Sequence, residues 1–188
     1  MLKYLEEHSK YTGITGFRSV EVENPEELLK SIRRDKQANV SVQFFNAQLI
    51  ATWEHLYFAV LNALTAFRTK RNVSKSLAVE VMLYASAQRQ IRKGIEFIGV
   101  KPGCRNLAVA IIGDNPEEVK NAVSTVSQHF RREPDERVLD LSTEKAQEIR
   151  KAFMITEKEL AVVIKEGDAE RALVDLIIER MALLSTKL

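Results

Sequence analysis

A single cysteine, Cys104, leaves this chain without any possible intramolecular disulfide. Phosphate loops are missing as well. Gly99 and Gly103 enclose Val100-Lys101-Pro102, but neither G-x-G-x-x-G nor G-x-x-x-x-G-K-[ST] occurs, which argues against ATP hydrolysis. The three histidines, His8, His55 and His129, are far apart in sequence and have no cysteine cluster or H-E-x-x-H spacing around them, so a zinc centre lacks recognisable ligands and no cofactor is expected. No apolar run outlasts Leu107 to Ile112, far short of the roughly 20 residues a spanning helix requires, and no membrane role is expected. Met1 is followed by Lys3, Glu6, Glu7 and Lys10 rather than by an apolar signal segment. With so little cysteine, this indicates a reducing, cytoplasmic setting.

Charge is present in quantity and is unevenly spread. Between Arg68 and Arg105 stand nine basic residues (Arg68, Lys70, Arg71, Lys75, Arg89, Arg92, Lys93, Lys101, Arg105) and two acidic ones (Glu80, Glu96), in a chain whose net charge is +2. From Glu133 onward thirteen acidic residues meet nine basic ones. A nearly neutral protein with this layout focuses a positive field on one face and leaves an acidic face for another partner, which points toward binding rather than chemistry.

The pattern of elements is that of an α/β (α+β) chain: a small mixed sheet packed with several helices, and a helical C-terminal region. Residues 1–188 are read as one domain, with 133–188 the helical C-terminal part. Ile14 to Val22 and Val40 to Leu49 have the β-branched and aromatic character of strands. Between them Asn24-Pro25-Glu26-Glu27 opens a helix carrying Leu28, Leu29 and Ile32, with Asn as cap and Pro in the first turn. The same device recurs at Asn115-Pro116-Glu117-Glu118, after the continuous apolar strand Leu107 to Gly113, and opens a helix with Val119, Val123, Val126 and Phe130. Thr52 caps a helix with Trp53, Leu56, Tyr57, Val60, Leu64 and Phe67 at helical spacing, and a second long helix is expected from about Ser76 to Ile98. Beyond Pro134, the segments Thr143 to Phe153, Thr156 to Ile164 and Asp168 to Leu184 read as helices.

Cys104 and His55 are one conceivable nucleophile–base pair, but a free cysteine directly before a strand reads as a small buried filler, and His55 reads as a structural histidine. Phe44, Phe45 and Tyr57 read as core. The basic middle carries more information: on one long helix Arg89 and Lys93, four apart, share a face, and the turns at Lys70-Arg71-Asn72 and Lys101 to Arg105 lie at its ends. RNA would use such residues, since arginine and lysine neutralise phosphates and arginine also stacks on unpaired bases. Asn72, Ser86, Gln88 and Gln90 add neutral hydrogen-bonding groups.

Three phrases carry a resemblance: Phe45-Asn46-Ala47, Trp53-Glu54-His55-Leu56, and Tyr84-Ala85-Ser86-Ala87-Gln88-Arg89-Gln90-Ile91. Their order and spacing, followed by an apolar strand, Asn-Pro-Glu-Glu and a final helix ending Glu179-Arg180-Met181-Ala182-Leu183-Leu184, resemble the small α/β subunit of the KEOPS complex from about Ile14 to Leu184. The resemblance implies a non-catalytic role. KEOPS installs the threonylcarbamoyl group on the adenosine beside the tRNA anticodon, and its transferase subunit performs the reaction. The small subunit binds the kinase-like ATPase subunit, holds the single-stranded 3' CCA end of tRNA in archaeal members, and meets the transferase and dimerisation subunits only indirectly.

Carried onto this chain, the resemblance implies RNA contacts at Lys70, Arg71, Asn72, Tyr84, Gln88, Arg89, Arg92 and Lys93. It implies kinase-subunit contacts at Leu176, Ile177, Arg180, Met181 and Leu184, which recur at one-, three- and four-residue steps on the last helix. The alternative is a protein-only adaptor that supports the kinase without touching RNA.

Overall fold

The computed structural model describes residues 1–25, 27, 40–164 and 167–184. Strands β1 (Leu2–Leu5), β2 (Lys10–Phe17), β3 (Ser41–Asn46) and β4 (Leu107–Gly113) form one sheet in the order β1-β2-β4-β3, and every pairing is antiparallel. Seven α-helices have their bounds among the described residues, α1 (Trp53–Arg68), α2 (Leu77–Ala85), α3 (Ile91–Ile98), α4 (Pro116–Phe130), α5 (Thr143–Ala152), α6 (Glu157–Val163) and α7 (Ala169–Leu184), with short 3-10 turns at Glu6–His8, Ala47–Leu49 and Glu136–Leu139. This is the α/β class expected, with its small sheet and helical C-terminal region; within the sheet the strands alternate in direction rather than mixing parallel and antiparallel pairs.

Period-2 alternation divides the sheet between two cores. Ile14, Phe45, Ala108, Ala110 and Ile112 face α1 and α2, whereas Phe17, Phe44, Leu107, Val109 and Ile111 face α4. Strand β4 is buried along its whole length, which accounts for its uninterrupted apolar sequence. Helix α4 lies close on β2 because residue 13 is glycine: a Cβ there would come within 2.6 Å of Val119 Cγ1. The start of α4 follows the sequence rules, with Asn115 Oδ1 accepting from the Glu118 N–H at 2.9 Å and Pro116 in the first turn. At the earlier copy of this device Asn24 Oδ1 accepts from the Glu27 N–H at 3.3 Å, and the expected helix body with Leu28, Leu29 and Ile32 lies outside the described residues.

Three elements differ from the sequence reading. Hairpin β1–β2 begins at Leu2, so the strand expected at Ile14 starts earlier and ends at Phe17. Thr52 precedes α1 as expected but its hydroxyl makes no capping bond. The long helix is two: α2 ends at Ala85, Ala87 adopts φ 50°, and its N–H and that of Gln88 bond back to the Tyr84 and Leu83 carbonyls, closing α2 before α3 starts at Ile91. A third core joins α5 and α7 through Ile149, Phe153, Ile155, Leu173, Val174, Leu176 and Ile177.

Candidate functional site

The basic middle is folded around the two ends of α2. Helix α1 closes with Lys70 at φ 57° and the Arg71 N–H bonded to the Ala66 carbonyl at 2.9 Å, so the chain turns sharply and Lys70-Arg71-Asn72 project at the turn. At the other end of α2 the break at Ala87 leaves Gln88 and Arg89 in irregular backbone. Arg71, Tyr84, Gln88 and Arg89 thereby meet around one narrow pocket of about 20 Å³, together with Val73, Glu80, Leu83 and Leu184. A space of that size holds one small group, not a nucleobase.

Four of the eight proposed RNA contacts therefore line a single pocket. The shared helical face of Arg89 and Lys93 is not present: Arg89 precedes α3 and Lys93 lies within it. Arg92 pairs with Glu96 at 2.9 Å on the exposed side of α3, and the Asn72 amide donates to the Ser74 carbonyl at 3.0 Å, supporting its own turn. Lys70 and Lys93 are exposed and outside the pocket lining. Tyr84 is 5% exposed, so its ring belongs to the core. Burial pushes its phenol up, with the charge of Glu80 adding and that of Arg89 opposing, which keeps it a hydroxyl donor.

Sequence reasoning passed over Glu80, counting it only as a charge that dilutes the basic run. It is 2% exposed, and its carboxylate accepts the Val73 N–H (3.2 Å to Oε1, 3.1 Å to Oε2) and the Ser74 N–H (2.8 Å to Oε2). The only available signal was an acidic residue in the first turns of a helix that follows a tight loop.

On α7 the apolar stripe faces inward. Leu176, Ile177 and Met181 are buried in this chain's own cores at 6%, 0% and 0% exposure, so intramolecular packing is the use to which the isolated chain puts them. Arg180 bonds internally as well. Its guanidinium donates to the Phe153 and Met154 carbonyls and pairs with Glu159 Oε1 at 2.7 Å. Glu159 closes a capping box with Thr156, and the N–H and O–H of Thr156, with Arg180, hold its carboxyl down to about 2. Leu184 is half-buried and reaches the pocket, while Leu183 beside it is exposed, as are Met154, Val162 and Ile164 in and around α6.

The conceivable catalytic pair does not form. His55 is fully buried; its Nδ1 accepts the Ala51 N–H at 3.2 Å and its Nε2–H donates to the Ala85 carbonyl at 2.7 Å, a neutral imidazole with both nitrogens satisfied. Cys104 packs instead on the α4 side of the sheet, near Asn46 and Asn106, and burial pushes its thiol up, away from the reactive thiolate. Among the described residues no three His, Cys, Asp or Glu side chains gather as a metal site, and no helix is long and apolar enough to cross a membrane.

The family model for kinase binding protein CGI-121 matches residues 17–185, nearly the whole chain. The chain belongs to the CGI-121 family. It is 32% identical over 113 residues to the regulatory protein Cgi121 of Methanocaldococcus jannaschii, a match covering 60% of this chain and 70% of that one. It is 28% identical over 91 residues to the KEOPS complex subunit Cgi121 of Pyrococcus abyssi, covering 47% of this chain and 52% of that one. The family's description, a kinase binding protein, agrees with the kinase-binding small subunit that the sequence motifs resemble.

Proposed function

We propose that this chain is the non-catalytic subunit of a KEOPS-type tRNA-modifying complex, binding the kinase-like ATPase subunit and recruiting tRNA through its single-stranded 3' CCA end. The observation that carries the kinase-binding half is the family match across residues 17–185. Support for the RNA half comes from the convergence of Arg71, Gln88 and Arg89 at one pocket, where guanidinium groups can fork to phosphates or stack on unpaired bases that lie across the mouth. The transferase and dimerisation subunits are partners only through the kinase subunit.

For the kinase subunit, the exposed apolar side chains of the C-terminal region are the candidates in place of the buried stripe: Leu183, Met154, Val162 and Ile164, with Leu184 at the edge. Each is a large apolar side chain left facing solvent in the isolated chain, and a docking partner would cover such surface.

The deciding experiment measures binding of tRNA with an intact or a CCA-trimmed 3' end to the isolated chain. Trimming is expected to weaken binding. Equal binding would argue for a duplex-surface contact, and no binding of either would leave the protein-only adaptor. Arg71→Glu with Arg89→Glu is expected to lower both affinity and its salt slope, by about one log–log unit for each phosphate contact removed; an unchanged slope in the folded variant would remove these residues from the interface.

A further inference from the structure

Within the basic stretch from Arg68 to Arg105, Glu80 is one of only two carboxylates, and it is the buried one. Removing a charged carboxylate from water is costly unless its oxygens are satisfied, and here the donors are both backbone N–H groups of Val73 and Ser74. Those two residues belong to the loop that follows Lys70-Arg71-Asn72, so the carboxylate fastens the end of the basic turn to α2. The same loop is braced by Asn72 Nδ2 on the Ser74 carbonyl and by Ser74 Oγ, which accepts from the Ser76 N–H at 3.1 Å. Glu80 also lines the pocket to which Arg71 and Arg89 both contribute, so the residue that fastens the loop stands at the same site as the two arginines.

We propose that Glu80 is a positioning residue for nucleic-acid binding: by fastening Val73 and Ser74 to α2 it holds Arg71 at the pocket it shares with Arg89, so that the two cations engage a phosphate backbone from a preformed loop. This rests on the reading of the pocket as RNA-facing. Glu80 itself touches no phosphate. Its effect passes through the loop, and the arginines need not pay the entropy of ordering that loop when the ligand arrives.

The test uses Glu80→Gln, which keeps the side chain's shape and removes the charge, with the full chain and a tRNA transcript carrying an intact 3' end. Expected are amide exchange at Val73 and Ser74 at least about tenfold faster, tRNA affinity roughly five- to tenfold weaker, and a salt slope lower by about one unit as Arg71 loses its phosphate. A merely structural loss would reduce the folded fraction without moving that slope. Arg71→Ala should reproduce the slope change with exchange at Val73 and Ser74 as in the wild type. If Glu80→Gln does not fold, Glu80→Asp, which keeps the charge on a stem one methylene shorter, is held to the same readouts. Wild-type binding with unchanged exchange, or with unchanged affinity and slope, in the folded variant would overturn the positioning role alone. Failure of the wild type to bind tRNA at all would overturn the RNA-facing reading beneath it.

Discussion

Arg180 of α7 and Glu159 of α6 form an ion pair, with Nη2 and Oε1 2.7 Å apart, and the same guanidinium donates to the carbonyls of Phe153 and Met154 in the turn between α5 and α6. One side chain thus holds three helices in register. Arg180→Ala removes all of these donors and leaves two carbonyls to find water, a loss of about 1 kcal/mol from the carbonyl hydrogen bonds alone. We expect a lower urea midpoint with unchanged slope, and amide exchange faster in α5 to α7 than in the sheet. An unchanged midpoint would mean that the clamp contributes nothing measurable.

His55 makes stability pH-dependent in a defined window. Burial, with the charge of Lys145 adding, lowers its pKa to about 4 from an ordinary value of 6.5, although the hydrogen bond to Ala85 opposes the shift. Between these values the unfolded chain binds a proton that the folded chain does not, so stability is full above about pH 6.5 and falls as pH drops toward 4, by about 3 kcal/mol in all. His55→Gln should be less stable than the wild type at pH 7, and the difference between the two should shrink as pH falls through that window. A difference that stays constant from pH 7 to pH 4 would contradict the neutral buried imidazole.

What could be read in the sequence was what local chemistry decides. Asn115-Pro116-Glu117-Glu118 names its own helix start, and β4 announces burial on both faces by its unbroken apolar run. The break at Ala87 was hidden because alanine is a good helix former; the left-handed residue there is fixed by how α2 and α3 pack, with Gly94 allowing close approach to Ser86 and Leu83. Strand β1 was hidden because Leu2-Lys3-Tyr4-Leu5 is too short and mixed to signal a strand without β2 beside it. For the site, Arg71, Gln88 and Arg89 were legible as basic and polar residues near turns, whereas Glu80 acts through backbone N–H groups that leave no mark in the sequence. The stripe on α7 was legible as apolar but not as internal, since a core and a docking surface ask for the same residues at the same spacing.

Neighbouring residues of α7 separate those two uses. Met181 is fully buried in the core shared with α1 and the sheet, while Leu183, two positions on, is 45% exposed. Met181→Glu buries an unpaired carboxylate and should cost about 3 kcal/mol or more, seen as a large fall in the thermal transition of the isolated chain. Leu183→Glu meets solvent in the isolated chain and should leave its thermal transition within about a degree or two, while weakening binding to the kinase subunit by roughly tenfold or more if that helix end is covered in the complex. Both quantities are read on the same preparations, by calorimetry of the free chain and titration with the kinase subunit. Normal kinase binding by Leu183→Glu would move the docking surface to Met154 and Val162, the most exposed large apolar side chains among the described residues of the C-terminal region at 78% and 85%, where the same charge substitutions repeat the measurement.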